Sequence, residues 1–305
     1  MDIFVQQIIN GLVLGSIYAL VALGYTMVYG ILGLINFAHG EVVMIGAMVA
    51  LFFVKAFSGL PVVILLPLAL AAAACVCMAI GFTIERIAYR PLRRAPKLAP
   101  LITAIGISII LQHLAMLIWG RNYHAFPPVI PTSAHEIFGA TITSLQVFIV
   151  LIAAAMMAGL TLLIQRTRLG RAMRATSQNP AIAQLMGVNI NQIISATFVI
   201  GSALAAVAGL MVTANYSIAH YYMGFMLGLK AFTAAVLGGI GNLAGAMLGG
   251  ILLGIIESLG AGYIGDLTGG FLGSHYQDIF AFFVLIGVLI FRPSGLIGER
   301  VAERA

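Results

Sequence analysis

The chain has 305 residues, of which 62% are hydrophobic and only 8% charged, with a formal net charge of +6. A soluble domain carries about 25% charged residues and keeps a polar skin around its core, so this composition excludes a water-soluble globule and points to a chain solvated by lipid. The basic excess does not indicate nucleic acid, because no basic stretch is interleaved with base-stacking aromatics.

A helix needs roughly 20 apolar residues to cross about 30 Å of hydrocarbon. In chain order the apolar runs predict spans near Ile8–Tyr29, Val42–Phe57, Val62–Ile84, Leu101–Trp119, Leu145–Ile164, Ile193–Ala214, Leu243–Leu259 and Ile279–Phe291. A shorter run, Gly228–Ile240, reads as a further span or a re-entrant piece, so the expected count is about eight, with room for a ninth or tenth. Runs such as "VVILLPLALAAAACVCMAIGF" lack the alternation of membrane-barrel strands. The expected fold class is therefore all-α, a polytopic helical membrane protein, with residues 1–305 forming one membrane domain. Asp2 stands where a signal peptide would be basic, and the first run is too long for one, so that segment is expected to stay as a span. Cys75 and Cys77 point to different sides of the third span, which predicts neither a disulfide nor a redox pair.

Charge sets the expected orientation. Arg86, Arg90, Arg93, Arg94 and Lys97 form one basic cluster; Arg166, Arg168, Arg171 and Arg174 form a second; Arg300 and Arg304 follow Arg292 in the C-terminal tail. The positive-inside rule places all three in the cytoplasm. The C-terminus is then inside, and three spans before Arg86 put the N-terminus outside. The stretch Gly120–Thr143, with Pro127, Pro128 and Pro131, reads as a structured extracytoplasmic turn.

The polar loop 165–193, "QRTRLGRAMRATSQNPAIAQLMGVNINQI", is longer than a connector needs. Asn179-Pro180 predicts a helix start, with Asn as cap and Pro at the first helical position. Ala181 to Met186 supplies a short helix that Gly187 can end. The segment is either an interfacial loop held to anionic lipid by arginines or a dock for a cytoplasmic partner.

Ionisable groups at membrane depth are costly, so each is a functional candidate. "INFAHGE" gathers Asn36, His39 and Glu41, with Gly40 permitting a bend. It reads as a broken helix offering backbone groups to a zwitterion, or as a short cytoplasmic turn whose polar groups are satisfied by neighbours. Lys230 either snorkels to the outer interface or sits at a gate. Glu257 pairs at an interface or lines the pathway, and Asn215 with Tyr216 ends the sixth span near the outer mouth. Gly241, Gly245 and Gly249, and likewise Gly250 and Gly254, are small residues at four-residue spacing, as close helix packing requires. "GNLAG" (241–245) loosely echoes "INFAHG" (35–40), a faint trace of an internal repeat.

Enzyme chemistry finds no home. The three lysines, Lys55, Lys97 and Lys230, do not follow glycine, so there is no phosphate loop. No H-E-x-x-H and no G-x-S-x-G occurs, and neither cofactor nor metal is expected.

Five blocks carry a resemblance: "NGLVLGSIYALVALGYTMVYGILGLINFAHGEVVMIGA" (Asn10–Ala47), "ERIAYRPLR" (Glu85–Arg93), "GRAMRATSQNPAIAQLMGVN" (Gly170–Asn189), "KAFTAAVLGGIGNLAGAMLGG" (Lys230–Gly250) and "RPSGLIG" (Arg292–Gly298). Together, and in this order, they closely resemble the permeases of bacterial ABC importers for branched-chain amino acids, in particular the first of the two permeases of high-affinity leucine/isoleucine/valine systems. The resemblance implies a multi-pass subunit of the inner membrane, working with a second, homologous permease, two cytoplasmic ATPases and an extracytoplasmic amino-acid-binding protein. It also implies that the short helix at Pro180–Met186 carries ATPase motion to the spans. The coupling residues would be Arg171, Arg174, Gln178, Asn179, Pro180, Gln184 and Gly187. Phosphate chemistry would reside in the ATPases and much of the substrate selection in the binding protein. The broader importer signature Glu-Ala-Ala is replaced here by Arg174-Ala175-Thr176. Related permeases for other amino acids or urea, an ion-gradient transporter using Glu41, Glu85 or Glu257, an intramembrane enzyme and a structural subunit without a pathway remain as alternatives.

Overall fold

In lipid, each backbone N–H and C=O must find its partner within the chain, so long apolar runs become helices. A computed structural model of the chain describes residues 2–93, 95–96, 98–129, 133–137, 139–269, 276–292 and 294–298. Arg94, Lys97, Pro131, Arg300 and Arg304 lie outside these described residues.

The elements run α1 (Asp2–Leu32), α2 (His39–Ala56) and α3 (Val62–Thr83). Helix α3 continues through a π-helical turn (Ile84–Tyr89) into α4 (Arg90–Leu92). Then come α5 (Leu98–Trp119), β1 (His124–Ala125), β2 (Ala134–Ile137), β3 (Ala140–Thr143) and α6 (Ser144–Arg166). The polar loop holds α7 (Arg168–Gln178) and α8 (Pro180–Leu185). The chain finishes with α9 (Ile190–Tyr216), β4 (Ile218–Ala219), α10 (Met223–Gly238), α11 (Leu243–Leu267) and α12 (Gln277–Phe291).

Among the described residues, seven helices are long and apolar enough to cross a membrane: α1, α2, α3 with its extension to Leu92, α5, α6, α9 and α11. Helices α10 and α12 are shorter and apolar. The ambiguous run Gly228–Ile240 is helical up to Gly238, as the end of α10. The Gly120–Thr143 stretch contains strands that hydropathy did not anticipate. β1 pairs antiparallel with β4, tying the end of α5 to the end of α9, and β2 pairs with β3 in a hairpin before α6. Thr143 then opens α6 with a reciprocal capping box to Gln146.

The most apolar helices are not the innermost. Over an apolar 18-residue stretch of each helix, 72%, 78% and 78% of the residues of α1, α2 and α9 are buried, against 22%, 28% and 22% for α3, α5 and α6. Lipid tails are as apolar as leucine, so hydrophobicity does not sort inside from outside here; close packing of small residues does. Helix α1 packs most extensively on α11, running antiparallel. A Cβ on Gly11 would stand 2.6 Å from the Ile255 Cα, and one on Gly250 would stand 2.5 Å from the Ala19 Cα. Gly254 abuts Gly15 backbone in the same seam. The other edge of α11 meets α10, where Gly245 faces Gly238 and Gly249 faces Ala234. Gly241 departs from the expected helix row. It lies in the turn before α11 with φ +98°, near Tyr29. Asn242 caps α11 from outside by accepting from the Gly245 N–H at 3.1 Å, so a residue before that cap cannot continue the helical stripe.

Candidate functional site

The polar loop 165–193 is two helices joined at a corner. Thr167 caps α7 by accepting from the Gly170 N–H at 3.0 Å. Arg174 donates to the Ile164 carbonyl and fastens α7 back onto the end of α6. Asn179, extended at φ −155° and ψ 100°, ends α7 and caps α8, its Oδ1 accepting from the Ile182 N–H at 3.0 Å. Pro180 occupies the first turn of α8, Met186 closes it and Gly187 leaves it at φ +87°. The helix thus ends one residue earlier than its sequence suggests, at Leu185. Asn189 then caps α9. The preceding helix, α7, was not legible as a separate element.

Arg171, Arg174, Gln178, Asn179, Pro180, Gln184 and Gly187 are all exposed. So are apolar side chains among them: Leu185 is 87% exposed, Met186 80% and Ile182 57%, while Ala183 turns inward. Clustered apolar side chains rimmed by polar ones are the pattern of a surface that contacts another protein or the membrane.

Deeper, the π-helical turn gathers charge. Glu85 is fully buried and accepts four hydrogen bonds, two at each carboxylate oxygen. Arg90 donates to Oε1 at 3.2 Å and to Oε2 at 3.0 Å, Ser195 donates to Oε2 at 2.6 Å, and Arg93 donates to Oε1. Arg93 also donates to the Asn191 Oδ1 at 2.6 Å. Two cations and a hydroxyl compensate the buried carboxylate. Tyr89, on the same turn, packs on Phe198 with ring centroids 5.2 Å apart and donates to the Asn36 Oδ1 at 3.2 Å.

Asn36 lies in the turn between α1 and α2, but His39, Gly40 and Glu41 form the first turn of α2 and are buried. Of "INFAHGE", Asn36 keeps the expected place in a turn between the first two spans, whereas His39 to Glu41 are helical and the expected bend at Gly40 is absent. Gly40 is helical and is used for close approach, since it packs against Gly224 and Gly228 of α10. Glu41 accepts from Gln112 at 2.6 Å and from Ser108 at 3.2 Å, both through Oε1. Its Oε2 and the His39 Nε2 have no hydrogen-bond partner among the described residues. The His39 ring meets Tyr25 edge-on at 5.0 Å and lies against Gly24. The polar pair Ser108 and Gln112, four residues apart on an apolar helix, was a sequence signal for this site that went unread.

A second buried network joins four helices. Lys230 Nζ lies 2.6 Å from Glu257 Oε1 on α11 and 2.6 Å from Asp278 Oδ1 on α12. Tyr18 on α1 donates to Glu257 Oε2 at 2.9 Å. Lys230 is 8% exposed, so it does not snorkel; two carboxylates hold it inside. Glu257 likewise pairs within the chain. Asn215 is half-buried at the end of α9; Tyr216 beside it is 53% exposed and lies within electrostatic reach of Lys230, Glu257 and Asp278, at the edge of this network. Cys77 is buried and donates to the Val42 carbonyl at 3.3 Å, whereas Cys75 is exposed; both are free. Among the described residues no group of three or more His, Cys, Asp or Glu side chains could hold a metal ion.

Comparison with known proteins adds sequence kinship to this geometry. Residues 7–289 match the family model described as "Branched-chain amino acid transport system / permease component". The chain is 48% identical to the high-affinity branched-chain amino acid transport system permease protein BraD of Pseudomonas aeruginosa, over 99% of this chain and 98% of that one. It is 44% identical to the corresponding permease protein LivH of Escherichia coli K12, over 99% and 97%. Among solved structures, PsaBC from Streptococcus pneumoniae in complex with Fab aligns with a TM-score of 0.47 at 15% identity, covering 96% of this chain and 91% of that one.

Proposed function

The chain belongs to the family of branched-chain amino acid transport system permease components, and on that premise we propose that it is the membrane-spanning permease of an ATP-driven importer carrying leucine, isoleucine and valine into the bacterial cytoplasm. It is a transport subunit and not an enzyme. Hydrolysis belongs to two cytoplasmic ATPases, and a second, homologous permease completes the pathway. An extracytoplasmic binding protein delivers the amino acid.

The observation that carries this reading is the exposed apolar end of α8. Leu185 and Met186 stand out from a loop otherwise rich in arginine, glutamine and asparagine. Burial of each such side chain in a partner groove is worth about 1.5–3 kcal/mol, enough to make a six-residue helix a firm handle. Orientation supports it. With the N-terminus outside and the C-terminus inside, the chain must cross an odd number of times. Taking the shorter apolar helices α10 and α12 as crossings brings the seven long helices to nine, an odd number as this orientation requires. On that path the basic residues of α4, α7 and the α6 end share the cytoplasmic side with α8.

The test is uptake and ATP hydrolysis in the reconstituted importer. Leu185→Glu with Met186→Glu, or deletion of residues 180–186, is expected to release the ATPases or uncouple hydrolysis from uptake. Unchanged uptake would sink the docking role of α8. Uptake that collapses with an uncoupler while ATP is maintained would assign the chain to ion-driven transport instead.

A further inference from the structure

The dock and the buried polar start of α2 are joined by one continuous run of contacts. Four residues, 186–189, connect α8 to α9. Asn191, Ser195 and Phe198 follow at spacings that put them on one face of α9. Each meets the π-helical turn or its flank: Asn191 meets Arg93, Ser195 meets Glu85 and Arg90, and Phe198 meets Tyr89. Tyr89 in turn holds Asn36, three residues before α2, and its hydroxyl also lies 3.3 Å from the Ile35 carbonyl. Beyond Asn36 come His39 and Glu41, whose Nε2 and Oε2 have no partner among the described residues.

Two features set this run apart from ordinary packing. The π-helical turn is a wide turn inside an otherwise α-helical rod, held by the Arg90 N–H bonding to the Glu85 carbonyl, and such turns concentrate at functional positions. The contacts at Glu85, Arg90 and Arg93 are also directional and charge-assisted, and Tyr89 adds a directional hydrogen bond to Asn36, unlike the apolar contacts around them. A shift of α9 at its first turn therefore moves specific hydrogen-bond partners and not merely a greasy surface.

We propose that Glu85 and Tyr89 are positioning residues of the transport cycle: through Ser195, Asn191 and Phe198 they take up movement of the α8–α9 corner and set the position of Asn36 and the start of α2. This rests on the docking role of α8. Glu85 is the fixed post, held by two arginines on its own segment and by Ser195 from α9. Tyr89 is the hand on the α1–α2 turn. Neither residue touches the transported molecule.

The experiment uses the reconstituted importer with its binding protein, comparing Glu85→Gln, Glu85→Asp, Tyr89→Phe and the Glu85→Gln/Tyr89→Phe pair. Subunit co-purification, ATP hydrolysis and uptake are measured on each. For Glu85→Gln the ATPases stay bound and hydrolysis persists, while uptake per ATP falls about ten-fold or more; Glu85→Asp recovers part of it. For Tyr89→Phe, which removes one hydroxyl, uptake per ATP falls roughly three- to ten-fold. The pair is no worse than the more severe single change, because both act on one movement. Normal uptake per ATP in an intact complex of either single variant overturns the proposal. Loss of the ATPases from the Glu85→Gln complex overturns it too, since the cluster would then only shape the dock. If Glu85→Gln does not accumulate in the membrane, Tyr89→Phe decides alone. The docking role of α8 stands or falls separately, on the Leu185 and Met186 variants.

Discussion

Lys230 shows how a single residue's role is set by its surroundings. On an apolar helix a lysine near an interface usually extends to the headgroups. Here Glu257 and Asp278 meet it 2.6 Å away, and Tyr18 supports Glu257 from behind. Removing one partner of such a pair leaves an uncompensated charge inside, at a cost of about 3–5 kcal/mol. Lys230→Met should therefore lower the unfolding midpoint in detergent sharply. The double change Lys230→Met with Glu257→Leu should recover much of the loss, because Asp278 is 34% exposed and can be hydrated. A double variant as unstable as the single one would mean that the pair contributes through something other than charge balance. Spacing could not reveal this network, since Tyr18, Lys230, Glu257 and Asp278 are far apart in the chain and only the fold brings them together.

At the scale of elements, glycine position separates seams from surfaces. Gly254 lies in the α1–α11 seam, where a Cβ would strike the backbone of Gly15, which cannot swing aside. Gly254→Val is expected to force the helices apart at a cost of about 1–3 kcal/mol or more. Gly287 in α12 has open space around it. Gly287→Ala should be neutral or stabilising by up to about 1 kcal/mol, since alanine is the better helix former. Thermal unfolding of the two variants side by side checks both, and a stable Gly254→Val would show that the seam is looser than described. The i, i+4 rule found Gly245, Gly249, Gly250 and Gly254 but also took in Gly241. Periodicity cannot see where a helix begins; Asn242 and the positive φ of Gly241 decide that. By contrast, Asn179-Pro180 and Gly187 marked α8 within one residue, because capping and termination are local chemistry.

For the whole molecule, the proposed topology makes a measurable statement about sides. Single cysteines at exposed Tyr123 and at exposed Gln184, in a background lacking Cys75 and Cys77, should react from opposite sides with a membrane-impermeant maleimide. Tyr123 should label in intact cells and Gln184 only after permeabilisation. Labelling of both from outside would overturn the nine-crossing path.

Composition alone determined that the chain lives in lipid, and apolar run length located its long helices, because both follow from the cost of exposing backbone and charge to hydrocarbon. Local punctuation also determined the short helix of the polar loop 165–193, and motif order pointed to the kinship. The tertiary structure decided the rest. It alone decided which apolar helices are central, since in a membrane the inside and the outside ask for the same side chains. It also decided which polar groups are compensated. Glu85 and Glu257 each find cations, whereas among the described residues Glu41 is hydrogen-bonded by Gln112 and Ser108 alone, a difference set by contacts across the fold and invisible in any window of sequence.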